Sequence, residues 1–348
     1  MGRPLGKNRR TRFQRKAFWW PVGTLAGLVV GTAAAFVTSP WPGALLIRSV
    51  FTNNAAKVKA ALEPHAPGGV DHLLNQRYAP NSPDTLLDVY YPTGTAPNTA
   101  LPTVFWIHGG AWISGYRDDA SPYFELLASK GYTIVAPGYS VGPERKYPTA
   151  VHQLNQALRY IQENSTKLHV DSSRIVLAGD SAGSQLASQL AVLATSPGYA
   201  TAMDIAPAVS PGQVKGMVLN CGVYDMTALD SLQGILGWGF DVATWSYSGV
   251  RNYSDDPAMR HMSTINYVTA DFPATFITGG NGDGLTATQS KPLAKRLESL
   301  GVDTTTLFFA DDYEPSLPHE YQFTLDNEAG VEALSAILDF LGTRTGTL

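Results

Sequence analysis

Residues 174–187, RIVLAGDSAGSQLA, constrain the chain more than any other stretch. An apolar run, Ile175–Ala178, has the look of a buried strand, and from Ala182 onward the spacing is helical. A strand that turns into a helix within so few residues holds the intervening side chain in a restricted, exposed backbone position. Gly179 and Gly183 stand two residues to either side, where larger side chains would clash. The helix that follows aims its unpaired N–H groups, and its favourable field for an anion, at the serine. Ser181 is therefore a candidate nucleophile, provided the chain also supplies a base, an acid and a cradle for negative charge.

The surrounding pattern predicts an α/β architecture. Strand-like runs fall at 86–92, 103–110, 131–140, 174–179, 214–221, 273–279 and 303–309, and helical runs at 149–164, 182–195, 286–300 and 328–341. In the first helical run Val151, Leu154, Leu158 and Ile161 recur at three- and four-residue spacing. Strands separated by helices of this length form a mostly parallel sheet covered on both faces. Reactive groups in such sheets gather in the loops at the strands' carboxyl ends. One interval, residues 225–272, is too long for an ordinary connection and carries Trp238, Phe240, Trp245, Tyr247 and Tyr253. It reads as a lid or pocket-wall insertion, with Trp112, Asp180, Trp238 and Trp245 as candidate pocket residues.

Seven histidines are available as base: 65, 72, 108, 152, 169, 261 and 319. The order nucleophile, acid, histidine, which goes with a serine on this kind of turn, leaves His261 and His319. His319 is the better placed, following the last strand in SLPHEYQF, whereas His261 lies inside the insertion. For the acid, Asp283 ends a strand in the glycine-rich loop GGNGDGL; Asp311 and Asp312 are rivals after the next strand. A carboxylate there fixes the imidazole tautomer and stabilises the imidazolium. In IHGGAW, residues 107–112, Gly109 and Gly110 allow a carbonyl oxygen to approach the backbone, so their N–H groups and that of Ala182 are candidate oxyanion donors. His108 reads as a residue that orients this loop. Cys221, the only cysteine, lies in a strand-like run and reads as a buried thiol. No His/Cys cluster has metal-ligand spacing and no phosphate-binding glycine loop occurs, so neither metal nor organic cofactor is expected.

The N-terminus concerns location. Residues 1–16 hold seven of the 25 Lys and Arg and no acid, leaving 18 basic against 29 acidic residues in the remainder. That balance excludes a nucleic-acid-binding domain. Residues 17–37 carry no charge, are long enough for the hydrocarbon core of a bilayer, and have Trp19, Trp20 and Trp41 near their ends. They predict a transmembrane signal anchor behind a cytoplasmic basic head, with the catalytic part outside the cytoplasm. Cleavage as a secretory signal after Ala33–Ala35 is the alternative. Residues 38–69 form a connector with an amphipathic helix at 43–63, its stripe built from Leu45, Leu46, Val50, Val58 and Leu62, lying on the membrane or packing on the domain. The globular domain occupies 70–348.

With these residues in place, the chain resembles the α/β-hydrolase superfamily, in particular carboxylesterases related to hormone-sensitive lipase and to the feruloyl-esterase-like (BD-FAE-type) group. The resemblance rests on HGGAW…SG (108–115), GDSAG (179–183), GDGL with Ser290, Leu293 and Leu297 behind it, and PHEYQF (318–323), and covers residues 70–342. It departs from the family at Ala111, where a third glycine is common. It implies Ser181, Asp283 and His319 as a triad, Gly109, Gly110 and Ala182 as the oxyanion hole, and hydrolysis of a small-molecule or lipid ester through an acyl-enzyme. Peptidase, amidase or thioesterase chemistry is the alternative on the same fold, and a non-catalytic binding protein a more distant one.

Overall fold

The computed structural model describes Gly2 and residues 34–80, 82–253 and 256–347. Eight strands form one sheet: β1 (Val70–Arg77), β2 (Leu86–Pro92), β3 (Leu101–Ile107), β4 (Thr133–Pro137), β5 (Val170–Asp180), β6 (Val214–Asn220), β7 (Thr275–Gly279) and β8 (Thr304–Phe308). Their spatial order is β1-β2-β4-β3-β5-β6-β7-β8. β2 is antiparallel to both neighbours, and the six strands from β4 to β8 run parallel. The helices are α1 (Trp41–Leu62), α2 (Ser121–Ala128), α3 (Thr149–Glu163), α4 (Ala182–Thr195), α5 (Pro197–Met203), α6 (Gly234–Ser248), α7 (Pro257–Arg260), α8 (Lys291–Ser299) and α9 (Glu328–Thr345).

The central strands are apolar on both sides because both sides are covered. In β3, Phe105 and Ile107 join the cluster that holds Leu154 and Leu158 of α3 and Leu186 and Leu190 of α4. Val104 and Trp106, one residue out of phase, face Phe124 and Leu127 of α2 and Ile337 and Phe340 of α9. Each such side chain contributes about 1.5–3 kcal/mol by leaving water, so the two layers fix the sheet's position between them.

Register then decides where the chemistry falls. Ile107 pairs with Gly179 across β3 and β5, so the loop after β3 lies beside the turn after β5. Strand order reverses between those two strands, and the crevice at such a switch point is where α/β sheets place their ligands. Asp180 pairs with Asn220, and Asn220 with Thr278, which brings the loop after β7 to the same edge.

Several expectations change. β1 and α2 carry no strong periodicity in sequence; β1, VDHLLNQR, is an edge strand in which every residue is at least partly exposed. The helix expected over 286–300 begins as a wider π turn, Thr286–Ser290, before α8. The apolar residues read as one stripe on α1 divide between two faces. Ala44, Ile47 and Leu62 face the protein, whereas Leu45, Leu46 and Val50 are exposed. The first two turns pack on α6, where Gly43 abuts Val242 and Trp238, and so the inward face follows the small residues.

Among the described residues no helix is long and apolar enough to cross a membrane. The span expected at 17–37 lies outside the described residues except for its last four, 34–37, which are helical.

Candidate active site

Ser181 sits at the turn from β5 into α4 with φ +50° and ψ −120°, a conformation non-glycine residues rarely adopt. Strain of this kind costs about 1–3 kcal/mol and persists only where surrounding structure enforces it. The enforcement is visible: the Ser181 N–H donates to Asn220 O at 2.8 Å. A Cβ on Gly183 would collide with the Ile107 and His108 carbonyls, and one on Gly179 with the backbone of Gly183 and Ser184. All fourteen residues of α4 are buried. Its polar side chains are satisfied internally, Gln189 donating to Tyr147 Oη and Tyr199 Oη at 2.6 and 2.7 Å.

The candidate acid and base come as a bonded pair. His319 Nδ1 donates to Asp283 Oδ2 at 2.8 Å, and Asp283 Oδ1 accepts from Leu285 N at 3.0 Å. Asn281 joins their two loops. Its Oδ1 accepts from Leu317 N at 2.8 Å and its Nδ2 donates to Tyr313 O at 2.9 Å, while Gly282 N donates to Leu317 O at 2.9 Å. Burial pulls the His319 pKa down, but the hydrogen bond and charge of Asp283, reinforced by Glu320 and Asp180, more than offset it and raise it to about 9. The Glu320 carboxylate lies 3.8 Å from His319 Nε2.

Ser181, Asp283 and His319 all line one cavity of about 510 Å³. Ser181 Oγ makes no hydrogen bond among the described residues; contacts of this kind commonly tighten only in the substrate complex. The rivals fall elsewhere. His261 packs edge-on against Tyr199, and Asp311 is an exposed partner of Lys291.

The oxyanion loop requires a correction. The Gly109 N–H is already donated to Asp180 Oδ2 at 2.7 Å, so it has no hydrogen to offer a second anion. Gly109 serves close packing, since a Cβ there would meet Asp180 Oδ2 and Glu320 Oε1. The amides of Gly110, Ala111 and Ala182 make no hydrogen bond among the described residues, and Gly110 and Ala111 line the cavity at positive φ. His108 is neutral, its pKa lowered to about 4 by burial; it stacks on Tyr139 at 4.2 Å, and its Nδ1 donates to Gly109 O at 2.8 Å. Asp180 also accepts from Trp106 Nε1 at 2.8 Å. Burial first, then the neighbouring Glu320 carboxylate, pushes the Asp180 pKa well above the usual carboxylate range.

The aromatic pocket residues are also corrected. Trp112 is fully buried, stacked on Tyr247, with its Nε1 donating to Gln185. Trp238 packs against Gly43, and Trp245 lies under the Arg251 guanidinium. None of the three lines the cavity. The insertion contributes Leu236 and Phe240 instead, and α1 supplies a wall that the sequence did not suggest: Phe51, Asn54, Ala55 and Val58. Asp180 does line it. Cys221 is buried, its thiol pushed well up by burial, and its Sγ accepts from Glu320 N at 3.3 Å beneath the imidazole. Cys221, Asp283 and His319 have donor atoms within 4.8 Å of one another. The thiol, held protonated by burial, is not a ready metal ligand.

The BD-FAE family model matches residues 87–297. The chain is 26% identical over 291 residues to esterase LipQ of Mycobacterium tuberculosis, covering 81% of this chain and 66% of that protein. It is 37% identical over 116 residues to carboxylesterase NlhH of the same organism, covering 33% of this chain and 36% of that protein. The chain thus spans two thirds or less of the curated relatives it matches. In fold it is similar to esterase B of Lactobacillus rhamnosis, with a TM-score of 0.76 at 24% identity over 88% of this chain and 96% of that one. The family match spans β2 to α8, including the turn that carries Ser181 and the loop that carries Asp283, and the chain belongs to the BD-FAE family of α/β-hydrolases.

Proposed function

We propose that the chain is a serine carboxylesterase working through an acyl-enzyme. The observation that carries this is the bonded Asp283–His319 pair opening into the same cavity as the strained Ser181. Ser181 Oγ attacks the ester carbonyl while His319 Nε2 accepts its proton. The tetrahedral oxygen takes hydrogen bonds from the Ala182 amide and from the Gly110 and Ala111 amides. Each such donor is worth about 2.7–4 kcal/mol in the barrier. His319 then returns the proton to the leaving alcohol, and water, activated by the same imidazole, releases the acid. The named relatives, esterase LipQ and carboxylesterase NlhH, and a tributyrin-phosphonate-inhibited form of esterase B support ester chemistry over peptide cleavage.

Ser181→Ala should lower kcat for a p-nitrophenyl acyl ester by at least about a thousandfold and abolish labelling by a fluorophosphonate. Retention of wild-type turnover in that variant, with the protein folded by circular dichroism, ends the proposal.

We further infer that residues 17–37 anchor the chain, with the basic head cytoplasmic and the hydrolase domain on the opposite side. The support is the uncharged length behind seven cations. Removal of residues 1–40 should release the protein from the membrane fraction. A full-length chain found entirely in the soluble fraction, at its uncleaved mass, contradicts the anchor.

A further inference from the structure

We propose that the outer faces of α1 and α6 form a lipid-docking rim, through which the cavity takes esters directly out of a bilayer. The rim lies on described residues. From Trp41 to Ala56 the only charged side chain is Arg48, and it is turned inward, donating to Ile113 O, Gly142 O and the Glu144 carboxylate. The outward arc of those turns carries Trp41, Leu45, Leu46 and Val50, all at least 44% exposed. α6, packed against α1 at Gly43, has one charge, Asp241, and shows Ile235 at 85% and Leu236 at 41% exposure. Water-facing helices normally carry charge on such arcs, and contiguous apolar surface rimmed by polar residues marks an interaction site.

Three observations select a bilayer as the occupant. The rim is continuous with the catalytic cavity: Phe51 and Leu236 are exposed on it and also line the cavity wall. The exposed rings of Trp41 and Trp238 belong to the side-chain type that prefers the membrane interface. Finally, only Ser39 and Pro40 separate the helical turn at 34–38 from α1, and the Arg251 guanidinium donates to Val37 O, binding that turn to the region just beyond α6. A chain leaving a membrane at residue 37 brings the start of α1, and α6 packed on it at Gly43, next to the lipid. Exposed apolar side chains there are removed from water on entering the interface, which favours docking.

This inference rests on the esterase reading for its substrate class, and the test separates the two. Full-length chain is reconstituted into phosphatidylcholine vesicles containing a long-chain fluorogenic acyl ester, and p-nitrophenyl acetate is assayed in parallel. Leu45→Glu/Ile235→Glu changes two exposed residues that do not line the cavity, and Val331→Glu, an exposed apolar residue on α9, is the control. The rim variant should lose at least tenfold in hydrolysis of the vesicle-borne ester while p-nitrophenyl acetate turnover stays within twofold; the control should change neither. Equal rates on the vesicle-borne ester overturn the proposal, as does a rim variant that only dissociates a dimer, which would assign the face to a second copy. A binding readout stands apart from activity: brominated phosphatidylcholine should quench the tryptophan emission of the wild type more than that of Trp41→Phe/Trp238→Phe. Equal quenching overturns the rim even if the chain hydrolyses no ester at all, and unequal quenching supports it.

Discussion

His319 sets the working pH of the proposed chemistry. The base must be neutral to accept a proton from Ser181, and at a pKa of about 9 only about 1% of the imidazole is neutral at pH 7. The logarithm of kcat/KM should therefore rise with a slope near one from pH 7 and level off above about 9. Glu320, 3.8 Å from Nε2, favours the charged form, so Glu320→Gln should move that limb to lower pH, read from the full pH–rate profile. The stability sign is the ordinary one for a raised histidine. The imidazolium's attraction to Asp283 is fully present below the unfolded value near 6.5 and is lost as pH climbs through about 9. At this scale the convergence of Ser181, Asp283 and His319 on one cavity was legible, because the proposed chemistry needs each residue type at a fixed place in chain order. Gly109 was misread because a glycine that serves packing and a glycine that bares an amide look the same in sequence. Only the 2.7 Å bond to Asp180 separates them.

At the scale of elements, two connections hold the cavity together. Asn281 makes the loops after β7 and β8 a single unit. Asn281→Ala leaves the Leu317 amide without its acceptor, and should cost about 1–3 kcal/mol in denaturant unfolding, with kcat falling more than KM rises. Arg48 fastens α1 to the loop that follows the Gly109–Gly110 pair, through Ile113 O at 2.7 Å. Arg48→Ala should loosen the wall formed by Phe51 and Val58 and raise KM for longer acyl esters severalfold at nearly constant kcat, in a chain-length series. The central strands and α4 were readable because burial on both faces makes a strand uniformly apolar, and because α4 starts at the glycine-flanked serine. β1 was missed since an edge strand half in water has no such pattern. The face by which α1 meets the domain was not legible since it packs through Gly43 and Ala44, residues that hydrophobic periodicity does not register. The three tryptophans proposed for the pocket are spent on packing between elements, Trp112 on Tyr247, Trp238 on α1 at Gly43 and Trp245 under Arg251, and the insertion gives the cavity Leu236 and Phe240 instead.

For the molecule as a whole, one helix belongs to two things at once. α1 begins just past the segment proposed as an anchor and ends by burying Leu62 in the domain, and its middle walls the cavity that Ser181 faces. Cuts at the helix's two ends should therefore have opposite consequences. Severing the chain before Trp41 sets free a hydrolase with its preferences intact. Severing it after Leu62 removes the ceiling over the nucleophile, so a profile of rate against alcohol bulk should flatten and binding of small esters should weaken. The tether and the roof are a single object, and a lineage that shed the first by shortening its N-terminus too far would change its diet along with its address.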